Sequence, residues 1–170
     1  MAETFLLDSN IFITPHRVYY PFDFAQGFWE QLENALKLDN VIILDVVVSE
    51  VSKLEDELST WIGGIEDFES ISVKSASFVV NYGKVLSYVQ NCGFYREEAL
   101  RNWAGGDIAD PWLVAVAMEI GATIITEETS AGGLTVKNKS RNAKIPDVAN
   151  HFGIKCENLF YFMRQMKFKL

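Results

Sequence analysis

Four acidic residues fall where carboxylates can act together. Asp8 directly follows the apolar run Phe5-Leu6-Leu7, Glu50 lies just beyond Val41-Ile42-Ile43-Leu44, Asp110 precedes Pro111, and Glu128 lies just past Thr123-Ile124-Ile125-Thr126. If those apolar runs are strands of one parallel sheet, their carboxyl ends share an edge, the edge at which open α/β sheets bind ligands. Carboxylates crowded there repel by about 4 kcal/mol per pair at 4 Å and an effective dielectric near 20, so the cluster calls for a cation. Hard oxygen donors of this kind select Mg²⁺ or Mn²⁺. Such ions hold a phosphodiester, activate the attacking water and stabilise the leaving oxygen. Ser9, Asn10 and Thr126 are polar neighbours placed to orient the acids. Taken singly, each acid has an ordinary reading: Asp8 ends a strand, Asp110 caps a helix, Glu50 and Glu128 are solvated. Their joint placement is what points to chemistry.

The elements that must position these acids follow from the apolar pattern. The short β-branched runs at Phe5–Leu7, Val41–Leu44 and Thr123–Thr126 read as buried parallel strands. Between them, helical spacing covers roughly Phe28 to Leu38, Val47 to Trp61, Phe78 to Gln90 and Pro111 to Glu119. Strand alternating with helix predicts a three-layer α/β/α sandwich around a mainly parallel sheet. Asp110 is read as the N-cap of a helix with Pro111 in its first turn, and Gly121 as the stop at the other end. The stretch 127–143 is rich in Gly, Ser, Thr, Asn and Lys without a period and reads as a long surface loop. After it, a short helix from Ile145 through His151, an edge strand at Ile154-Lys155-Cys156 and a helix from Leu159 to Met166 complete the expectation. No linker interrupts the chain, so residues 1–170 are read as one domain.

Composition narrows the classes. With 49% hydrophobic residues in 170, a full core can form without staples. Cys92 and Cys156 have neither C-x-x-C spacing nor histidines at ligand spacing, which argues against a disulfide framework or a zinc site and for a reducing, cytoplasmic setting. The first residues lack the pattern of a secretory leader, and no apolar run reaches membrane-spanning length. His16 and His151 have no nucleophile motif near them, and there is no P-loop. The net charge of −8, from 15 Lys plus Arg against 23 Asp plus Glu, runs against general capture of nucleic acid, so a polyanion would need a local basic strip. Lys137, Lys139, Arg141 and Lys144 form the compact basic run, with Lys144 the foremost candidate for substrate contact. Tyr19-Tyr20-Pro21-Phe22-Asp23-Phe24 with Phe28-Trp29 could stack bases, but internal packing or a homodimer surface is the stronger reading. The stripe Phe78, Tyr82, Val85 and Val89 reads as core.

Four strings also carry a resemblance. F-L-L-D-S-N-I-F-I resembles the opening motif of PIN domains, V-V-V-S-E-V their second, D-P-W-L-V-A-V-A their third, and I-I-T-E-E their closing motif, in the same order over residues 4–128. K-I-P-D-V-A-N-H-F-G-I together with D-P-W-L-V is similar to a little-characterised bacterial PIN subgroup. The resemblance, which includes the VapC-like toxins, implies a Mg²⁺- or Mn²⁺-dependent endoribonuclease, the toxin of a bacterial toxin–antitoxin pair with an antitoxin protein as partner and RNA as substrate. It makes Asp8, Glu50 and Asp110 metal-site acids and places Glu128 where the family has Asp, one methylene shorter. Asn10, Thr126 and Lys144 become orienting or substrate-binding groups, and Asp107 an additional candidate acid. Two alternatives stand beside it. One is a non-catalytic PIN-fold scaffold that binds a protein. The other is aspartate-based phosphotransfer of the haloacid-dehalogenase type, which Asn10 in place of the second Asp of D-x-D opposes.

Overall fold

The computed structural model describes residues 2–170. Its sheet has four strands, all parallel: β1 (Phe5–Leu7), β2 (Val41–Ile42), β3 (Thr123–Ile125) and β4 (Cys156–Glu157), in the order β2-β1-β3-β4. β1 and β3 are central and wholly buried, which is why they read as unbroken apolar runs rather than as alternating ones. Phe5, Leu6 and Leu7 pair with Thr123, Ile124 and Ile125. On the other side Phe5 and Leu6 pair with Val41 and Ile42. Chain order therefore reverses across the β1–β3 boundary, and the crevice at the carboxyl ends of those two strands is the natural ligand position.

The helices that flank the sheet, in a three-layer α/β/α arrangement, are α1 (Asn10–Thr14), α2 (Gln26–Leu36), α3 (Asp45–Ser52), α4 (Glu57–Gly63), α5 (Ala76–Asn91), α6 (Glu97–Trp103), α7 (Ala109–Ile120), α8 (Ile145–His151) and α9 (Leu159–Gln165). A π-helical segment, Pro15–Tyr19, continues α1. α7 has Ala109 and every residue from Pro111 to Ala117 buried, as expected of a helix apolar on all sides. It packs chiefly against α5, whose Val85 and Val89 are buried as the stripe predicted. Gly121 ends α7 at φ 67°, its N–H bonded to the carbonyl of Ala117.

Several boundaries differ from the pattern-based expectation. The helix expected over Val47–Trp61 is two. Glu55 takes a left-handed φ of 52°, and the Asp56 carboxylate then accepts the N–H groups of Leu58 and Ser59, both at 3.1 Å, which starts α4 afresh. α7 begins at Ala109, so Asp110 lies inside its first turn and is not its cap. The edge strand forms at Cys156–Glu157, slightly later than expected, while the stretch 127–143 contains no helix or strand. α1 and α6 had no clear pattern because each is short. The aromatic segment is mostly packing: Phe22 stacks on Trp29 at 4.3 Å, Tyr20 on Phe28 at 4.5 Å, and the Trp29 indole donates to the Tyr20 carbonyl at 2.8 Å. Tyr19 and Phe24 remain exposed. No helix among the described residues is long and apolar enough to cross a membrane.

Candidate functional site

Asp8 leaves β1 with its N–H still bonded to the Ile125 carbonyl of β3 at 3.0 Å, so its side chain starts from the middle of the sheet edge. It is 2% exposed. One carboxylate oxygen accepts the Ser9 N–H at 2.7 Å, and the other accepts the Thr126 hydroxyl at 2.7 Å. That hydroxyl in turn accepts the Glu128 N–H at 3.0 Å and the Asn10 side-chain amide at 3.3 Å. The Asn10 carbonyl oxygen accepts the Glu127 N–H at 2.9 Å. Thr126 thus uses its one donor and both acceptor positions, and together with Asn10 it staples the end of β1 to the turn after β3.

The other acids arrive from three directions. Glu50, on α3, accepts the Ala109 N–H at 2.9 Å and so supplies the cap that α7 lacks in its own sequence. That bond brings α3 to the first turn of α7, where Asp110 sits half-buried with no hydrogen bond to its carboxylate among the described residues. Glu128 accepts the Ile145 N–H at 2.8 Å through one oxygen and Lys144 at 3.1 Å through the other, capping α8. Lys144 is therefore held by an acid of the cluster. Asp107 turns away to an exposed ion pair with Lys53 at 3.2 Å and stands apart from the other four.

Asp8 and Asp110 feel the charge of the other acids. Burial raises the Asp8 carboxyl to about 7, with Glu128 and Glu50 adding to the rise against the Thr126 and Ser9 hydrogen bonds. Burial raises Asp110 to about 8, aided by Asp8, Glu128 and Glu50 and opposed by Lys144. The negative field extends to the edge strand, where burial first, then Asp8, Glu157 and Glu128, push the Cys156 thiol up to about 12. Two carboxyls that hold their protons this firmly, with two further carboxylates beside them, are donor chemistry that suits a hard divalent cation. The side chains are not, however, preset: among the described residues no three His, Cys, Asp or Glu groups stand in metal-holding geometry. Asp8 and Glu128 each have both oxygens engaged, whereas Asp110 is free and Glu50 keeps its second oxygen free. An ion at this edge would have the carboxylate of Asp110, the second oxygen of Glu50 and the remaining lone pairs of Asp8 to draw on, once those side chains turned towards one another.

Nothing in the sequence pattern announced Glu50 as the cap of α7 or Glu128 as the cap of α8, because both bonds join residues far apart in the chain. Glu127 was equally silent. Its carboxylate accepts the Leu159 N–H at 3.0 Å and secures the start of α9 behind the site. The one available signal was the Glu127-Glu128 pair next to a strand end.

A family model described as a domain of unknown function (DUF4411) matches residues 5–170. No curated protein matches the sequence. Among solved structures, the chain is similar to one in the crystal structure of VapBC2 from Rickettsia felis bound to a DNA fragment from their promoter. The TM-score is 0.55 at 16% identity, covering 91% of this chain and 98% of that one. At that identity the likeness is one of fold.

Proposed function

The chain belongs to the DUF4411 domain family, and we propose that this member is a metal-dependent endoribonuclease acting in the cytoplasm as the toxin of a toxin–antitoxin pair. The observation that carries the chemistry is the joint rise of Asp8, at the carboxyl end of β1, and Asp110, in the first turn of α7 that Glu50 caps. A buried and a half-buried carboxyl raised to about 7 and about 8 are poorly placed for stability and well placed to bind a cation. The toxin assignment is supported by the fold shared with a chain of the VapBC2 structure and by the resemblance of the four sequence strings to PIN nucleases.

In this reading Asp8, Glu50 and Asp110 hold Mg²⁺ or Mn²⁺. A bound ion of that kind supplies an activated water and charge compensation at the phosphate. The chain's own residues do the rest. Thr126 and Ser9 fix the Asp8 carboxylate at the end of β1, and Asn10 ties that strand end to the turn after β3. Glu128 acts as the fourth acid through water, while its direct bonds hold Lys144 and the start of α8 beside the cleft. Lys144, released from Glu128 when substrate arrives, offers its ammonium to a phosphate oxygen. Asp107, exposed and paired with Lys53, has no place in the centre.

The experiment is cleavage of small structured RNAs by the purified chain in Mg²⁺, Mn²⁺ or EDTA. Cleavage in either metal and none in EDTA is the expected result. If no RNA of a broad panel is cut in any of the three, the non-catalytic scaffold takes the place of the nuclease. For the toxin role, expression of the chain alone should slow bacterial growth and a neighbouring gene product should restore it. Harmless expression of an active enzyme counts against that role.

A further inference from the structure

Two cavities lie side by side where the C-terminal end of α5, the start of α6, the start of α8 and the 127–143 loop meet. The larger, about 720 Å³, is lined by Arg96, Arg101 and Lys139 among others. None of the three forms an ion pair among the described residues, although Glu97 shares the lining. On a chain of net charge −8, three unneutralised cations around one hollow are an uneven distribution, and they meet the need for a local basic strip. The smaller cavity, about 270 Å³, has Tyr88, Phe94 and Tyr95 as aromatic walls, with Asp147 and Asn150 as polar groups. Tyr88 is braced by His151, stacked on it at 3.8 Å.

Tyr95 lines both cavities. It is 6% exposed, yet its buried hydroxyl has no hydrogen-bond partner. Burial, then the charges of Asp147 and Tyr88, raise its pKa, so the phenol keeps its proton and remains a donor. A buried hydroxyl left open in this way costs free energy unless something reaches it. The walls are also fixed. The loop pairs with the chain before α6 through Ser140 N–H to the Phe94 carbonyl at 2.9 Å and Arg96 N–H to the Ser140 carbonyl at 2.8 Å. Val136 presses so closely on Gly93, at φ 83°, that a Cβ there would lie 2.8 Å from it.

The smaller cavity also adjoins the acids. Glu128 binds Lys144 and the Ile145 N–H, and the next two residues, Pro146 and Asp147, line the cavity together with Ser130. We propose that the two cavities form one track for single-stranded RNA, with a nucleobase between the aromatic walls of the smaller and its neighbouring phosphates against the cations of the larger. This rests on the nuclease reading for its substrate class. A flat base suits aromatic walls whatever its sequence, and its polar edge meets the Tyr95 hydroxyl, Asp147 and Asn150. An acidic peptide could use the basic cleft equally well, but its carboxylates would meet Asp147 in the smaller cavity.

Binding measured in EDTA separates this from cleavage. The full chain is titrated with three fluorescent probes of equal length: a single-stranded oligoribonucleotide, an abasic sugar-phosphate strand and a poly-glutamate peptide. The wild type should prefer the oligoribonucleotide. Combining Arg96→Gln, Arg101→Gln and Lys139→Gln should weaken RNA binding on the order of tenfold or more and reduce the salt slope by about 2. Tyr95→Phe, which keeps the packing and removes an unpartnered hydroxyl so that the melting temperature does not fall, should weaken RNA about fivefold and leave the abasic strand unchanged. No RNA binding by the wild type, an unaffected triple variant, equal weakening of both strands by Tyr95→Phe, or tighter binding of poly-glutamate than of RNA would each overturn the track. RNA that is bound through these residues but never cut in Mg²⁺ or Mn²⁺ removes the nuclease and leaves the track. RNA that is cut equally well by the triple variant does the reverse.

Discussion

Asp110→Asn should stabilise the metal-free protein. The Asp110 carboxylate accepts no hydrogen bond among the described residues, so its replacement breaks none, whereas Asp8 would lose its fit to the Ser9 N–H and the Thr126 hydroxyl. Its carboxyl is raised from 3.8 to about 8. In the unfolded chain it ionises near 4, and in the folded chain only near 8. The penalty is therefore absent below about pH 4, grows as pH rises between the two values, and is complete above about 8. At about 1.4 kcal/mol per unit, the ceiling is about 5 to 6 kcal/mol. Solvent at this half-buried position screens part of that, and the new amide needs partners of its own, which leaves a gain of about 2 kcal/mol. For a chain of this length that is a rise of about 4 to 8 °C in Tm. Thermal melts in EDTA at a pH above 8 and again near 4 are the assay. The variant should melt higher at the first pH and equal to the wild type at the second. A variant that melts at or below the wild type at the higher pH, or gains equally at both, refutes the idea that repulsion and burial strain this acid.

Further outcomes follow from the same geometry. The metal-free wild type should itself become more stable as pH falls from about 8 towards 5, because Asp8 and Asp110 take up protons in the folded state first; denaturant midpoints across that range check it. Glu50→Ala should destabilise by about 1 to 2 kcal/mol through loss of the bond to the Ala109 N–H, and Glu50→Gln by less, since the amide oxygen still accepts; chemical denaturation distinguishes the two. Lys144→Met should change stability by less than about 1 kcal/mol, because its pair with Glu128 is partly exposed, yet reduce RNA cleavage under single-turnover conditions. Glu128→Gln should also slow cleavage, and Glu128→Asp should retain more of it than Gln. If Glu128→Gln is fully active while Asp8→Asn is dead, Glu128 has no part in the chemistry.

The parts of the fold legible in the sequence are those fixed by local burial. Phe5–Leu7 and Thr123–Ile125 are short apolar runs because both faces of the central strands are covered, and α7 reads as a helix because almost its whole surface is core. The acids at their ends could then be placed on one edge by topology alone. Bonds across the chain stayed hidden. Asp110 was read as a cap from its place before Pro111, but Glu50, 59 positions earlier, performs that task. Lys144 was read as free for substrate, and its neighbour Glu128 turned out to hold it. Asp107 was separated from the cluster by Lys53, an exposed residue that no apolar pattern could single out. The split at Glu55 likewise depended on a capping aspartate inside an otherwise helical period.

The most direct measurement is a calorimetric titration of Mn²⁺ into the wild type and into the protein carrying both Asp8→Asn and Asp110→Asn. The wild type should bind Mn²⁺ with release of protons, since carboxyls held near 7 and 8 must give them up, and the double variant should lose at least about tenfold in affinity together with that proton release. Equal affinity in the two proteins would contradict the claim that these buried acids exist to hold a cation.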